Sequence, residues 1–479
     1  MRNLLILIVG IVAASSTTDA ALKDAITNVA APFQREIQKH IDTQKQFLGK
    51  LLNIDPDSQL SQLFPAIGQL TNLTKLKECY NPSIGDEEFN IFNNTIFDVI
   101  KTYYKVFPEN FQLTKFGDKA KNLFQSTQEI GQYTVDCLLN PSEYQLGLTQ
   151  LTDFSGSEYN SLLGAARNDL EDRLIVSNFR ERPKPSNNES DDDDDNDGVS
   201  TGSGSSSSSD TTSGSSISRP TSKPRKPLGG IGIGLGRRKR QEVEVDPICF
   251  PKNTEPLPEK FDWRKMGKVT PARYQGSCGG CWAFASLAAL ESAYLIKGKT
   301  SNKNFDLSEQ QLIACGRKDG CNGGTSVDAF NYILANNGVT DEGTMPFDAK
   351  KNNNCDKKKK KKRHARIKDY CLRGIYAKVD GKPEELTDQQ IQYAIREYGP
   401  VYATLNADHI AVKHLKTGMY SNKKCSKQTN HAILVVGWDK KGWIIKNSWG
   451  KKWGDDGFFR MKRGSNMCGL NTYITFPIL

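Results

Sequence analysis

The chain has 479 residues, of which 37% are hydrophobic and 25% are charged, and its formal net charge at pH 7 is +10. This length exceeds that of one small domain and allows two or three folded units, while the modest apolar content indicates that part of the chain lies outside any packed core. Beyond the first residues no stretch approaches the roughly 18 apolar residues of a membrane-spanning helix, so we expect a soluble product.

The N-terminus has the features of a secretory signal peptide. Arg2 supplies a positive charge, residues 4–12 are apolar, and small residues follow at 13–16. We therefore predict that residues 1–20 are a signal peptide, with a buried N-terminal strand as the alternative. Eleven cysteines agree with a secreted or lysosomal protein, and their odd number predicts one unpaired thiol. Three N-glycosylation sequons also agree with export, at Asn72, Asn93 and Asn188.

The segment that follows is predicted to be mainly helical. Across residues 21–182 apolar side chains recur at spacings of three and four, as at Phe92 and Ile96. The segment contains two cysteines, Cys79 and Cys137, which we expect to pair with each other.

The composition changes again at residues 183–240. An acidic run at 191–195 and many Ser, Gly and Pro residues predict a disordered linker, because such a stretch cannot bury enough apolar surface to offset its ordering entropy. The linker ends in Arg237-Arg238-Lys239-Arg240, which we interpret as a processing site cut after Arg240; a solvated basic patch is the alternative. Residues 241–479 are net basic, whereas the preceding part is net acidic, so the two should attract each other.

Cys281 is the candidate nucleophile. It follows Gly279-Gly280 and opens an amphipathic pattern, with Phe284 and Leu287, that ends at Lys297-Gly298. This pattern places Cys281 at a helix N-terminus, where the helix dipole should lower the pKa of the thiol and favour the nucleophilic thiolate. The alternative is a buried or disulfide-bonded cysteine.

His431 is the candidate base for this thiol. It begins a strand-like run through residue 438, and a second strand at 442–447 returns after a short turn, bringing Asn447 near the level of His431. The amide oxygen of Asn447 can then accept the ring N–H and fix the tautomer. Gln275 precedes the nucleophile by a short loop and can donate its amide N–H to an oxyanion, together with the backbone N–H of Cys281. The other histidines are less suited to this role: His40, His364, His409 and His414.

From Leu257 to Leu479 the sequence resembles the papain family of cysteine proteases, of the cathepsin L-like kind. The matching segments, besides the one around Cys281, are Leu257–Arg264, Cys321–Gly324, Asn430–Ala432 and Asn447–Gly450. The resemblance implies an α+β papain-like fold, with a helical lobe around Cys281 and an antiparallel β-barrel lobe that carries His431 and Asn447. It also implies a cysteine endopeptidase made as a latent zymogen. Gly280 departs from the family, which usually has Ser at this position.

The resemblance further implies a substrate-binding set: Gly323, Gly324, Thr404, Asn430, Trp449 and Tyr473. It implies three disulfides: Cys278–Cys321, Cys315–Cys355 and Cys425–Cys468. Cys249 and Cys371 have no partner in the family pattern and are left to bond each other. Tyr473 should form the floor of the pocket for the second substrate residue before the scissile bond, the P2 residue, which predicts a preference for Val or Leu over Phe and Arg. A Tyr473 ring turned toward solvent would instead leave this pocket open.

Upstream, residues 144–153 resemble the end of the family's inhibitory propeptide, although Thr149 and Leu151 replace the usual Asn and Phe. The chain's own propeptide should therefore be an inhibitor, whereas residues 21–85 match no family pattern. The run from Lys357 to Arg363 is either a solvated insertion or an attachment site for a polyanion.

Two classes of function remain: an active endopeptidase, or a papain-like scaffold protein without turnover. The intact set of Gln275, Cys281, His431 and Asn447 favours the enzyme. We expect no cofactor or metal, no nucleic-acid partner and a monomer.

Overall fold

The structure is a computed structural model that describes residues 80–81, 83–84, 87–88, 96–139, 142–165, 243–244, 246–252, 255–317, 319–349, 355–356, 358–359, 362–380 and 382–479. The predicted signal peptide, the sequons, Cys79, the linker at 183–240 with Arg240, and part of the Lys357–Arg363 run lie outside these residues.

The described residues upstream of the linker are mainly helical, as predicted. Their helices are α1 (Ile96–Val106), α2 (Phe116–Leu139) and α3 (Gly156–Leu162). Apolar side chains of α1 and α2, including Tyr103, Leu123 and Ile130, are buried, and Tyr103 donates a hydrogen bond to the buried carboxylate of Asp153 at 3.3 Å. This bond ties the helix pair to the chain that leads into α3.

The residues around Cys281 form a helical lobe. Its helices are α4 (Cys281–Ile296), α5 (Glu309–Gln311), which continues as a π-helix over Leu312–Gly316, and α6 (Ser326–Ala335). Helix α4 begins at Cys281 and has Lys297 as its C-cap, so its predicted bounds are confirmed. The predicted amphipathic character is wrong, because nearly every side chain of α4 is buried between the two lobes.

Local hydrogen bonds fix the ends of α5 and α6. Ser308 caps α5 by accepting from the backbone N–H of Gln311, and the side-chain oxygen of Gln311 accepts from the backbone N–H of Thr340. Thr325 and Asp328 form a complete capping box at the start of α6.

The strands are β1 (Ser83–Ile84), β2 (Glu87–Glu88), β3 (Tyr144–Leu146), β4 (Val243–Glu244), β5 (Phe261–Asp262), β6 (Asp369–Gly374), β7 (Ala377–Val379), β8 (Lys382–Pro383), β9 (Val401–Leu405), β10 (Leu415–Tyr420), β11 (His431–Trp438), β12 (Gly442–Lys446), β13 (Phe458–Lys462) and β14 (Tyr473–Ile478). The large sheet has the order β3-β10-β13-β12-β11-β9-β14-β6, with β5 paired to β11. Helices α7 (Asp388–Tyr398) and α8 (Ile410–Lys413) lie on either side of β9 in the chain.

The upstream part joins this sheet as an edge strand. Strand β3 pairs antiparallel with β10, so that Leu146 lies opposite Leu415. The ammonium group of Lys413 donates to the carbonyl of Phe154 at 2.8 Å, and the ammonium group of Lys452 donates to the carbonyl of Val106. Backbone pairing and the hydrogen bonds of these two lysines therefore attach the upstream part to the barrel lobe.

The cysteine bonds follow the pairings that the family resemblance implies: Cys278–Cys321, Cys315–Cys355 and Cys425–Cys468. Cys249 bonds Cys371, and Cys137 is disulfide-bonded. Cys281 is free, and it is the one free cysteine among the described residues.

The Cys249–Cys371 bond anchors a short segment ahead of Leu257 to the barrel lobe. The Tyr398 hydroxyl donates to the carbonyl of Phe250 at 3.0 Å, and the Phe250 ring lies 4.7 Å from the guanidinium of Arg373. Arg373 is buried and ion-paired with Glu384. Residues 246–252 are therefore packed as part of the C-terminal domain.

Candidate active site

Cys281 lies at the interface of the two lobes. Helix α4 begins at this residue, and the backbone N–H of Ala432, the second residue of β11, donates to the Cys281 sulfur at 3.4 Å. The side chain has no exposed surface. The predicted helix start thus places the thiol directly beside the strand that carries His431.

Burial raises the pKa of the Cys281 thiol to about 11. Removal from water outweighs the backbone N–H groups of Ala432 and Gly164, which favour the thiolate. The predicted lowering of this pKa is therefore wrong for the closed protein, in which Cys281 is a neutral thiol at pH 7.

His431 and Asn447 are brought together as predicted. His431 Nε2 lies 2.8 Å from Asn447 Oδ1, which also accepts the backbone N–H of Ser448 at 2.8 Å. Because this oxygen can only accept, Nε2 must carry the ring proton. Nδ1 is then the unprotonated nitrogen, and it is buried without a hydrogen-bond partner among the described residues.

The surroundings of His431 keep its ring neutral. Burial lowers the pKa of His431 to about 4, although the hydrogen bond with Asn447 acts in the opposite direction. The ring of Trp449 covers the imidazole at a centroid distance of 4.6 Å. Both reactive groups, the thiol of Cys281 and the imidazole, are therefore uncharged in this structure.

Gln275 is held in place from two directions. Its Oε1 accepts from the Ser448 hydroxyl at 2.6 Å, and its Nε2 donates to the carbonyl of Cys278 at 2.7 Å. The same Nε2 donates to the carbonyl of Leu162 at 3.0 Å. The N–H predicted to serve an oxyanion is thus already occupied by a carbonyl of the upstream part.

The chain after α3 lies across the cleft. The carbonyl of Gly164 accepts from the backbone N–H of Gly324 at 2.9 Å, and Ala165 donates to the carbonyl of Asn430 at 3.0 Å. Only glycine fits at position 164, because a Cβ there would overlap the carbonyl group of Gly279. The upstream backbone therefore occupies the position between Gly324 and Asn430 on top of the thiol.

Sequence reasoning missed this covering segment, since the recognised pattern stopped at Asp153. A signal for it was present: Ser155 and Glu158 form a capping box that begins α3, and the spacing of these two residue types predicts a helix start. Gln150, inside the recognised pattern, donates through its side-chain amide to the carbonyl of Trp449.

Thr404 and Tyr473 are neighbours, as the resemblance implies. Ala432 pairs with Thr404 across β11 and β9, and β14 runs antiparallel on the other side of β9 with Ile474 opposite Ala403, which places Tyr473 beside Thr404. Tyr473 is buried, and its hydroxyl lies 3.3 Å from that of Tyr402. The alternative of a Tyr473 ring turned toward solvent is wrong.

The remaining described histidines are engaged elsewhere. His364 pairs with Asp341, His409 caps α8, and His414 lies against Thr152 of the upstream part. Among the described residues no group of three His, Cys, Asp or Glu side chains could hold a metal ion, and no helix is long and apolar enough to cross a membrane.

Comparison with known proteins identifies the family. The family model for papain family cysteine proteases matches residues 257–478. Digestive cysteine proteinase 2 of Homarus americanus is 34% identical over 239 residues, which are 48% of this chain and 69% of that protein. Pro-cathepsin H of Mus musculus is 37% identical over 239 residues, which are 47% of this chain and 67% of that protein. The chain belongs to the papain family of cysteine proteases.

Solved precursor structures share the fold. The digestive procathepsin L2 proteinase from the Tenebrio molitor larval midgut has a TM-score of 0.57 at 22% identity, covering 80% of this chain and 100% of that chain. Recombinant stem bromelain precursor has a TM-score of 0.53 at 23% identity, covering 80% and 99%. This protein is thus a papain-like cysteine endopeptidase in its zymogen form, and its disulfides and cathepsin relatives indicate the secretory pathway.

The pKa shifts at Cys281 and His431 predict how reactivity of the intact zymogen depends on pH. Because burial lowers the pKa of His431, this residue stabilises the closed form, in which the upstream segment covers the cleft, at pH values above the ordinary histidine pKa of about 6.5. This contribution is lost as the pH falls toward 4. Because burial raises the pKa of Cys281, this residue stabilises the closed form at pH values below the ordinary thiol pKa of about 9. This contribution is lost as the pH rises toward 11. Relative to a free thiol of ordinary pKa, which accounts for the changing thiolate fraction, alkylation of Cys281 by iodoacetamide should therefore be slowest between pH 6.5 and 9.

The measurement is the rate of iodoacetamide incorporation at Cys281, divided by the rate for N-acetylcysteine at the same pH, between pH 4 and 10 and over times at which the zymogen stays uncut on a gel. The Cys281→Ala zymogen is the control for reaction at other sites. A ratio that does not change with pH would contradict the expectation.

Proposed function

We propose that Cys281 is the nucleophile and His431 the general acid and base of the peptidase. One observation carries the proposal: His431 donates through Nε2 to Asn447, which leaves an unprotonated and unpartnered Nδ1 at the end of the strand that contacts the Cys281 sulfur. This nitrogen has a free lone pair, and the hydrogen bond of the ring to Asn447 fixes its orientation, so it is suited to take the proton of the thiol.

The reaction follows from these positions. His431 Nδ1 takes the thiol proton, and the Cys281 sulfur bonds to the scissile carbonyl carbon. The carbonyl oxygen becomes an oxyanion that Gln275 Nε2 and the Cys281 backbone N–H stabilise. Collapse breaks the C–N bond as His431 protonates the amine, and water then hydrolyses the thioester while His431 acts as base, which restores the thiol.

The propeptide is the inhibitor in this proposal. It places the Leu162 carbonyl on the oxyanion donor Gln275 and the Gly164 backbone on the thiol, so a substrate cannot enter. A scaffold protein without turnover is the second candidate, but the presence of Gln275, Cys281, His431 and Asn447 in the chain favours the enzyme.

Two substitutions test the catalytic roles. Cys281→Ala in the processed enzyme should abolish peptidase activity, because no other group at the site can form the thioester. Gln275→Ala should lower kcat by about 10²–10³, the usual cost of one oxyanion donor. Activity is measured on a fluorogenic peptide, and unchanged thermal unfolding shows that each variant is folded. Appreciable turnover by Cys281→Ala would contradict the assignment.

The pocket for the P2 residue should prefer aliphatic side chains. Thr404 and Tyr473 lie side by side on neighbouring strands, and Tyr473 is buried in the same apolar cluster as Cys281. The phenol occupies volume that a large P2 side chain would need, and it carries no charge to pair with Arg.

Wild-type enzyme should therefore cleave substrates with Val or Leu at P2 about 10-fold faster than those with Phe, since pockets of this kind discriminate by modest free energies. Tyr473→Ala should shift the preference toward Phe. Tyr473→Phe is the matched control, because it keeps the ring volume and should keep the aliphatic preference. The proposal fails if wild type prefers Phe and Tyr473→Ala leaves the ratio of kcat/KM values unchanged.

Activation should occur by cleavage after Arg240. Four basic residues end the linker just ahead of the segment that the Cys249–Cys371 bond attaches to the barrel lobe. Cleavage there removes the propeptide and retains residues 246–252, whose removal would uncover the buried Arg373–Glu384 pair.

N-terminal sequencing of the active enzyme should therefore give Gln241 or a residue shortly after it. Replacing Arg237, Arg238, Lys239 and Arg240 by Gln should block activation, whereas Arg225→Gln with Lys226→Gln, a basic pair elsewhere in the linker, should not. A mature start ahead of residue 182, or full activity of the uncut chain, would contradict this site.

Two finer assignments complete the proposal. The enzyme reaches a lysosome or the extracellular space, which the disulfides and the predicted signal peptide support. The basic run that includes Lys358, Lys359, Lys362 and Arg363, all of them exposed, binds a polyanion such as a sulfated polysaccharide.

A further inference from the structure

Basic residues gather at one end of the barrel lobe. Strands β10 and β13 are parallel, so both end there, and the antiparallel pairing of β12 with β13 and of β11 with β12 brings the turn between β11 and β12 to the same end. All but the last of these cations are exposed, and the last is half-buried. The six residues, which together form the basic end of the barrel, are Lys423, Lys424, Lys440, Lys441, Lys462 and Arg463.

The backbone holds the three segments of the basic end close together. The N–H of Arg463 donates to the carbonyl of Lys441 at 3.2 Å, which joins the end of β13 to the turn between β11 and β12. The Cys425–Cys468 disulfide, with its Cα atoms 5.0 Å apart, attaches the segment after β10 to the segment after β13. The fold therefore concentrates these charges in one place, although the residues are far apart in the sequence.

Few carboxylates balance the basic end. Lys440 pairs with Glu259 at 3.0 Å on the open surface, and Asp439 is occupied by Arg460 and by the backbone N–H of Lys441. Since neighbouring cations repel one another, a bound polyanion would relieve an unfavourable charge distribution. The other cations form no ion pair with any described residue: Lys423, Lys424, Lys441, Lys462 and Arg463.

The basic end and the catalytic residues lie at opposite ends of the same strands. His431 begins β11 and Trp438 ends it, and this strand of 8 residues is about 25 Å long. Asn447 likewise follows the last residue of β12, whereas Gly442 begins β12 beside the basic turn. A ligand bound at the basic end would therefore leave the cleft open.

The surroundings of the basic end favour one class of polyanion. A membrane-binding surface inserts apolar side chains into the lipid, and a site for single-stranded nucleic acid stacks aromatic side chains on the bases. The basic end supplies neither, which favours a ligand that is recognised by a row of anionic groups alone. The large exposed apolar side chains among the described residues belong to other segments: Phe111, Ile248, Met266 and Ile375.

We propose that the basic end of the barrel is a binding site for a linear sulfated polysaccharide, separate from the catalytic cleft. Neighbouring strands lie about 4.8 Å apart, so the ends of β10, β13, β12 and β11 present cations along a row of about 15 Å that a chain with repeated sulfate groups can follow. The site is distinct from the basic run around Lys358, which is attached to the helical lobe through the Arg363 bond to the carbonyl of Asn336.

The first test measures binding of heparin, a sulfated polysaccharide, by the full-length Cys281→Ala zymogen at about 0.15 M salt. Neutralising four cations of the basic end should raise the Kd by about 10-fold or more, because the charge that attracts the sulfate groups is lost. The side chains are exposed, so thermal unfolding should not change. The substitutions are Lys423→Gln, Lys424→Gln, Lys441→Gln and Lys462→Gln.

The first control variant has the same change in net charge at scattered positions and should change the Kd by less than about 3-fold. Equal losses for this variant and the basic-end variant would show that binding follows total charge and would overturn the inference. The substitutions are Lys265→Gln, Lys297→Gln, Lys299→Gln and Lys303→Gln, all at exposed side chains.

The second control variant neutralises the basic run of the helical lobe. Loss of heparin binding in this variant alone, with the basic-end variant binding as wild type, would overturn the inference and leave the polyanion assignment of that run intact. The substitutions are Lys358→Gln, Lys359→Gln, Lys362→Gln and Arg363→Gln.

Further measurements test the separation from the cleft and the class of ligand. Saturating heparin should leave kcat/KM of the processed enzyme on a small fluorogenic peptide unchanged, and inhibition competitive with the peptide would place the polyanion in the cleft and overturn the inference. Vesicles of phosphatidylserine and phosphatidylcholine, or an oligothymidylate, should bind more weakly than heparin. Tighter binding of either, lost in the basic-end variant, would overturn the assignment to a sulfated polysaccharide.

Discussion

The active site depends on how closely helix α4 packs against strand β11. The helix presents small side chains to the strand: Ala288 and Ala289 form a buried cluster with Leu434 and Val436. Because these side chains are short, the helix axis approaches the sheet closely enough for the Cys281 sulfur to accept the N–H of Ala432. Larger residues on this face would move the thiol away from the imidazole that β11 carries.

The same close packing explains how a backbone segment closes the enzyme. The cleft between Gly324 and Asn430 is narrow enough for one backbone segment to reach both of its sides. The carbonyl of Gly164 accepts a hydrogen bond from Gly324, and the N–H of Ala165 donates one to Asn430. The covering chain removes water from both reactive groups at once, which raises the pKa of Cys281 and lowers that of His431. Departure of the propeptide would reverse both shifts together, because the same burial causes them.

The side chains that border the cleft on the barrel lobe are held by fixed elements of that lobe. Tyr473 is positioned by β14, and Trp449 and the Ala407 carbonyl are positioned by contacts with His431 and Asn430. Side chains that are held by backbone pairing and buried hydrogen bonds lose little freedom when a substrate binds, which favours selectivity over adaptability.

The sequence by itself determined the elements that depend on local pattern. The glycines before Cys281 and the Lys297-Gly298 end set the bounds of α4, and the two apolar runs after His431 set strands that bring Asn447 to the imidazole. The resemblance to the papain family also implied three disulfide pairings, and the structure contains them.

Only the tertiary structure decided the charge state of the thiol and the course of the covering segment. A helix start predicts a lowered thiol pKa, but the pKa also depends on water, and residues from a distant part of the chain remove that water from Cys281. The position of Gly164 over the thiol and of Tyr159 against Trp449 likewise depends on contacts between segments more than 100 residues apart in the chain, which no local periodicity encodes.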